Sequence, residues 1–177
     1  MKFNIIAALD SNWGIGKDNK LPWPRLKGDM KNFHHVTTLA AEGKVNAVIM
    51  GRKTWESLPE KSRPLPDRLN VVLTRGDMDF PEGVLKADSF DGALKMLEKR
   101  DDVDQVFVIG GANVYKQALE HKDFYRFYAT EIAAAFECDA FFPKFDLGMM
   151  HQPWAVTDYQ EENGIQYRFI RMAVKDS

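Results

Sequence analysis

The sequence holds a single cysteine, Cys138, among its 177 residues. No disulfide can form within the chain, so a reducing compartment is expected and the cytosol is the default location. A lone cysteine with no Cys–His spacing reads as packing. The chain also lacks a charge surplus: 24 basic against 26 acidic side chains leave a net charge of -2. Nucleic-acid binders need an excess of cations, so that partner is not expected, although a local basic patch is compatible with the balance. No apolar run is long enough to span a membrane, and the first one, residues 3–9, ends at Asp10 without the small-residue cleavage site of a signal peptide. Metal is not expected either, because the adjacent His34 and His35 and the isolated His121 and His151 lack ligand spacings. There is no G-x-S-x-G elbow for a nucleophilic serine. The first apolar run is not followed by a spaced G-x-G-x-x-G. Gly51-Arg52-Lys53-Thr54 is not a Walker loop, because Asn46 stands where the first glycine belongs and Arg52 where the lysine belongs.

What is present suits one soluble domain over residues 1–177. Apolar runs at residues 4–9, 47–50, 69–73, 106–109 and 127–132 do not alternate, as in strands covered on both faces. Between them lie helical patterns. Leu26, Met30, Phe33 and Thr37 share one face. Phe90, Leu94 and Leu97 follow Ser89, a candidate N-cap. Val114 with Ala118 and Tyr115 with Leu119 mark a third helix. Alternating strands and helices predict an α/β fold with a mostly parallel sheet between helical layers. Two arms, residues 154–160 and 165–174, flank Asn163-Gly164 and predict a closing antiparallel hairpin. The apolar parity of the second arm switches after Phe169, which predicts a bulge there.

Three strand ends have the same character. Met50 is followed by Gly51-Arg52-Lys53-Thr54, Leu73 by Thr74-Arg75, and Ile109 by Gly110-Gly111-Ala112-Asn113. Ligands of parallel α/β sheets bind beyond the carboxyl ends of strands, where helix N-termini attract phosphate. Each feature alone fits an ordinary turn or a surface cation, but together they point towards a nucleotide. Asp29 is a different matter. At about 100° per residue it flanks the apolar face of its helix. It is either an exposed first-turn acid, favourable to the helix dipole, or a carboxylate aimed into an apolar pocket. An unpaired charge is costly there, and a ligand with an amidine-like pair of N–H groups would pair it through two charge-assisted bonds.

The chain resembles dihydrofolate reductase over essentially its whole length. The matching pieces are Ile6-Ala7-Ala8, Gly14-Ile15-Gly16-Lys17, Leu21-Pro22-Trp23-Pro24, Val48 to Trp55, Arg63-Pro64-Leu65, Val108-Ile109-Gly110-Gly111 and Phe141-Phe142-Pro143. The resemblance implies a single three-layer domain with an eight-stranded, mostly parallel sheet, an antiparallel C-terminal strand and helices on both faces. It implies hydride transfer from NADPH to the pterin of dihydrofolate, giving tetrahydrofolate for one-carbon and thymidylate metabolism, by a cytoplasmic monomer open to antifolate inhibitors.

The resemblance also assigns residues. Asp29, Trp23, Leu21 and Thr130 would serve the reacting end: Asp29 takes the pterin N–H edge, Trp23 holds an ordered water and Thr130 backs the carboxylate. Ile6, Ala7, Ala8, Met30, Phe33, His34, Leu58, Pro59, Leu65, Ile109 and Tyr115 would line the substrate pocket, and Arg68 would grip the α-carboxylate of the glutamate tail. The cofactor would rest on Ala8, Ile15, Gly16, Gly51, Arg52, Lys53, Thr54, Leu73, Thr74, Arg75, Ile109, Gly110, Gly111, Ala112, Asn113, Val114 and Tyr115, with a cis peptide joining Gly110 to Gly111. Residues 10–21 match a mobile loop that closes over it. Asp29 is the shorter acid of bacterial members and Met30 replaces a vertebrate phenylalanine, whereas the segment from Pro59 to Leu65 is long, as in eukaryotic members. Asp88 stands where some members place an arginine for the 2′-phosphate, with Lys86 as a substitute. Two rivals are a related pterin or pyrimidine reductase, which would not need Arg68, and a non-catalytic folate or nucleotide binder, which need not keep both Asp29 and Trp23.

Overall fold

In the computed structural model, which describes residues 1–175, the five apolar runs become the inner strands of one sheet. They are β1 (Phe3–Leu9), β3 (Val45–Gly51), β4 (Arg68–Leu73), β6 (Val103–Gly110) and β7 (Phe124–Ile132). Short strands complete the set: β2 (Gly14–Gly16), β5 (Leu85–Ala87), β8 (Ala140–Phe141), β9 (Ala155–Val156) and β10 (Gln160–Glu162), with the long β11 (Ile165–Ala173) last. Eight strands lie side by side in the order β10-β11-β7-β1-β6-β3-β4-β5, and β9 also pairs with β11. From β7 to β5 every pairing is parallel, while β11 runs antiparallel to β7 and β10 antiparallel to β11. β2 and β8 form a separate two-stranded pair.

Four helices cover the sheet: α1 (Lys27–Thr38), α2 (Arg52–Ser57), α3 (Phe90–Glu98) and α4 (Ala112–Glu120). Successive strand residues point to opposite faces, and the core divides accordingly. Ile5, Ile49, Val71 and Val108 pack with Phe90, Leu94 and Leu97 of α3 and Val114 and Tyr115 of α4. Ile6, Val48, Met50, Val72 and Phe107 pack with Val36 and Phe33 of α1 and Trp55 of α2. Both faces are therefore dry, which is why the inner strands read as unbroken apolar runs. Each fully buried side chain of this kind contributes on the order of 1.5–3 kcal/mol. A third cluster, Trp23, Leu26, Ile132, Ile165 and Tyr167, joins the start of α1 to the C-terminal hairpin.

Ser89 caps α3 as expected, its hydroxyl accepting from the Gly92 N–H at 3.0 Å. The hairpin turn at Asn163-Gly164 has positive φ at both residues, 53° and 75°, the pattern of a tight two-residue turn. Two expectations need correction. The first arm is not one strand from 154 to 160 but the separate β9 and β10. The bulge is not in β11, whose pairing with β7 runs without a shift from Tyr167↔Ile132 to Ala173↔Arg126. On the outer side, Gln160 pairs with Tyr167 and Val156 with Ile170, so the extra residue lies in the edge segment. Helix α1 also differs in detail. Met30 is 45% exposed, and Val36 takes the core position beside Thr37.

Candidate active site

β6, β3 and β4 are parallel neighbours, so their carboxyl ends fall side by side: Met50 pairs with Gly110 and Gly51 with Leu73. The three strand ends singled out in the sequence therefore form one ledge. Gly110 has φ 123°, a conformation open to glycine, and a Cβ there would press to 3.3 Å on the Tyr115 ring. A Cβ at Gly51 would stand 3.2 Å from Val114. Gly51 and Gly111 precede α2 and α4 without any side-chain cap, and α4 begins at Ala112 with Asn113 exposed. The Gly110–Gly111 peptide is cis, and Arg63–Pro64 is cis as well. Arg52, Lys53 and Arg75 are exposed around the ledge, while Thr54, Leu73 and Thr74 are half-buried. Lys86 and Asp88 are both exposed at the neighbouring β5.

Residues 10–21 lie against this ledge. The Asn19 side chain donates to the Lys53 carbonyl at 3.0 Å, and the Asp18 N–H donates to Asp139 at 3.0 Å. The root of the loop is pinned by Asp10, which accepts from the N–H groups of Gly14 (2.7 Å), Asn12 (2.9 Å) and Phe136 (2.9 Å). Burial pushes the Asp10 carboxyl up, but those donors and the Cys138 thiol outweigh it and hold it below its usual range. Ile15 and Gly16 are half-buried in β2, and Leu21 is 58% exposed.

On the α1 face of the sheet stands Asp29. Thr130 of β7, itself buried, donates its hydroxyl to Asp29 Oδ1 at 2.6 Å. Burial raises the Asp29 pKa above the ordinary aspartate value. The Thr130 hydrogen bond opposes the rise, and the negative charge of Glu162 adds to it. Ile6, Trp23 and Leu65 are buried in the surrounding clusters, with Ala8, Phe33, Leu58 and Ile109 half-buried beside them. Pro59 is exposed at the rim. Arg68 donates to Thr37 Oγ1 at 2.9 Å and to the Pro66 carbonyl at 2.8 Å, with its guanidinium 5.9 Å from the Phe33 ring centre.

Three assignments move. Ala7 packs in the core on the α3–α4 face, so only its backbone can face the site. His34 is exposed at solvent, away from the apolar clusters. Tyr115 is buried behind Gly110, its hydroxyl donating to the Ile6 carbonyl at 2.8 Å, so it braces the site rather than forming an open wall. A separate cavity of about 550 Å³, lined by Trp13, Phe127, Phe145, Ile170 and Met172, lies on the opposite face of β7 and β11 and does not include Asp29.

A family model described as "Dihydrofolate reductase" matches residues 2–173. The chain belongs to the dihydrofolate reductase family. It is 44% identical to the dihydrofolate reductase of Mus musculus over 98% of this chain and 97% of that protein, and 46% identical to that of Sus scrofa over 94% of each. The solved dihydrofolate reductase of Schistosoma mansoni superposes with a TM-score of 0.88 at 38% identity, covering 99% of each chain. The chain is an oxidoreductase that converts dihydrofolate to tetrahydrofolate.

Two buried polar residues that brace the elements around the site escaped the sequence reading. Asn46 sends its amide to the Thr37 and Leu39 carbonyls, and its oxygen accepts from the Gln105 N–H, tying the end of α1 to β3 and β6. Asn70 closes the loop before Arg68 by bonding both the N–H and the carbonyl of Leu65. Both were signalled: each is a polar residue within or beside an apolar run, and a buried polar group must find partners. The partners themselves could not be read off.

Proposed function

We propose that this dihydrofolate reductase uses NADPH and that Asp29 is the ionisable group that orients the pterin. The observation that carries this reading is a desolvated carboxylate, bonded at one oxygen by Thr130, beside apolar walls from β1 and α1. A carboxylate so placed accepts from paired N–H groups, and the pterin presents a ring N–H next to a 2-amino group. Thr130 fixes the carboxylate plane. Trp23, Leu26 and Ile6 are buried in the apolar clusters around the site, so the pairing acts at a lower local dielectric than in water and is stronger for it. Arg68 takes the glutamate α-carboxylate with its forked donors. Solvent protonates the pterin nitrogen next to the reacting carbon. Diaminopyrimidine antifolates carry the same N–H edge and are expected to bind at Asp29.

The ledge fits a dinucleotide. A Cβ at Gly51 or Gly110 would crowd Val114 or Tyr115, so backbone approaches closely there, and the uncapped start of α4 leaves N–H groups for phosphate. Ala8, Ile15, Gly16, Thr54, Thr74 and Gly110 to Val114 would hold the cofactor, with Arg52, Lys53 and Arg75 on its phosphates. When bound, NADPH supplies the hydride. The free thiol of Cys138 supports a reducing, cytoplasmic setting, and we read the chain as a monomer. Among the described residues no helix is long and apolar enough to cross a membrane.

The experiment is the loss of NADPH absorbance on adding dihydrofolate, run in parallel with NADH. Turnover favouring NADPH is expected, and tight binding without turnover would make the chain a binder instead. The preference should rest on Arg52 and Arg75, since the extra 2′-phosphate needs forked cations. Arg75→Ala is expected to lower the NADPH-to-NADH ratio of kcat/KM and leave the NADH constants nearly unchanged. A double replacement of Arg52 and Arg75 that leaves the ratio intact would put the 2′-phosphate elsewhere.

A further inference from the structure

We propose that Glu162 is a positioning residue for dihydrofolate reduction: from the C-terminal hairpin it grips the first turn of α1 and sets a second negative charge beside Asp29. Helix α1 has no cap of its own, because the residue before it is Leu26 and no side chain there takes a hydrogen bond. The first N–H groups of a helix need acceptors. Those of Lys27 and Gly28 go to Glu162, to Oε2 at 2.8 Å and Oε1 at 2.6 Å. The acceptor comes from β10, at the far end of the sequence. Tyr167, fully buried on β11, donates its hydroxyl to the same Oε1 and also bonds Gln160. Asn163, at the hairpin turn, donates to the Arg25 carbonyl at 3.0 Å.

Gly28 shows that this contact is built closely. A Cβ there would collide with the Tyr167 hydroxyl and stand 2.8 Å from Glu162 Oε1 and 2.9 Å from Gln160 Oε1. Only glycine lets the hairpin's polar cluster reach the helix start. The next residue is Asp29. Its carboxylate is held by Thr130 on β7, and its backbone turn is held by Glu162. The two grips share one scaffold, since β11 pairs with β7 at Phe169↔Thr130 and Tyr167↔Ile132.

The groups facing Asp29 from these elements are Thr130 (β7), which does not titrate here, Glu162 (β10) and the Tyr167 phenol (β11). Lys27, on the same helix, acts on Glu162. The Tyr167 hydroxyl, with the Gly28 and Lys27 N–H groups, holds the Glu162 carboxyl below its usual range, which favours its anionic form. A fixed anion beside Asp29 favours the protonated acid.

This inference rests on the role of Asp29 proposed above. The test is the pH profile of single-turnover hydride transfer, with NADPH and dihydrofolate, for wild type, Glu162→Gln, Gly28→Ala and Asp29→Asn. Glu162→Gln keeps the size and loses the charge, so the midpoint is expected to fall. Gly28→Ala forces the clamp off a helix that alanine itself favours, so it carries the test even if Glu162→Gln does not fold. Its midpoint should fall in the same direction, with hydride transfer roughly tenfold slower through lost alignment. NADPH affinity should not change. Folded variants with a lower melting temperature but wild-type midpoint and rate would overturn the proposal, because a purely structural cap behaves that way. If Asp29→Asn is impaired while both other variants match wild type, only the role of Glu162 fails. If Asp29→Asn itself matches wild type, the reading of Asp29 fails first.

Discussion

Asp29→Asn is expected to lose most turnover at neutral pH and to keep its fold. Asparagine is nearly isosteric, so the packing around Trp23 and Leu26 should survive. The amide accepts through one oxygen only, and its NH₂ would face the pterin's own donors. The charge-assisted pair is lost, and so is the group that orients the ring. In the variant no carboxylate favours the protonated pterin, so protonation follows solution pH alone and the hydride-transfer rate should climb as pH falls while wild type stays faster throughout. Stability should move the other way. Burial raises the Asp29 pKa in the folded state, so the ionised acid costs stability. That cost is absent below the unfolded aspartate pKa and is complete once pH exceeds the folded one. The variant's melting temperature at neutral pH should therefore equal or exceed that of wild type, and the advantage should shrink on acidification. Such an exchange of stability for activity is common at catalytic groups. A folded variant with a wild-type pH profile would return Asp29 to the role of an ordinary helix acid.

Arg68→Leu is expected to weaken ligands that carry a glutamate tail and to spare small diaminopyrimidines. The guanidinium is already oriented: Thr37 and Pro66 each take one of its hydrogen bonds, and Phe33 lies beneath it. Thr37 is in turn anchored through its own hydroxyl to the Phe33 carbonyl at 2.7 Å. Burial pulls the Arg68 pKa down against the charge of Asp67, but arginine remains protonated. A charge-assisted contact to a carboxylate contributes on the order of 1.5–3 kcal/mol, so tailed folates should lose roughly ten- to hundredfold in affinity. On the reading proposed for Asp29, diaminopyrimidines would bind at that end, and they lack the tail. Equal losses for both ligand types in a titration would mean that Arg68 supports the pocket as a whole.

The inner sheet was legible because its strands are dry on both faces, and dry strands leave unbroken apolar runs. The edges were not. β2, β8, β9 and β10 are two or three residues long and are defined by backbone pairing, for which side-chain pattern carries no signal. The parity switch in β11 was real, but it did not report a bulge in that strand. Its outer neighbour changes from β10 to β9 through an edge segment that holds the extra residue. On α1, Met30 matched the helical period but faces the open side, and Val36 packs instead, because period alone does not say which flank of the stripe meets the sheet.

The site divides in the same way. The ledge at Gly51, Leu73 and Gly110 followed from parallel strands ending together, a consequence of topology. Asp29 was legible as an acid flanking an apolar stripe, but whether it turned inward depended on Thr130, 101 residues away. Glu162 and Tyr167 could not be found from the helix they hold, since they belong to a hairpin at the other end of the chain. Ala7 and His34 were carried along with their matching neighbours, and the alternation of the strand and the turn of the helix took their side chains elsewhere.

The most direct measurement is a carbon-13 NMR titration of the Asp29 carboxyl in the free wild-type protein, with Asp29→Asn to assign the signal. A half-buried carboxylate whose pKa is raised by burial and by the charge of Glu162 should titrate above the ordinary aspartate range. A midpoint at or below that range would mean that solvent reaches Asp29 freely, which would contradict its proposed role as the partner of the pterin.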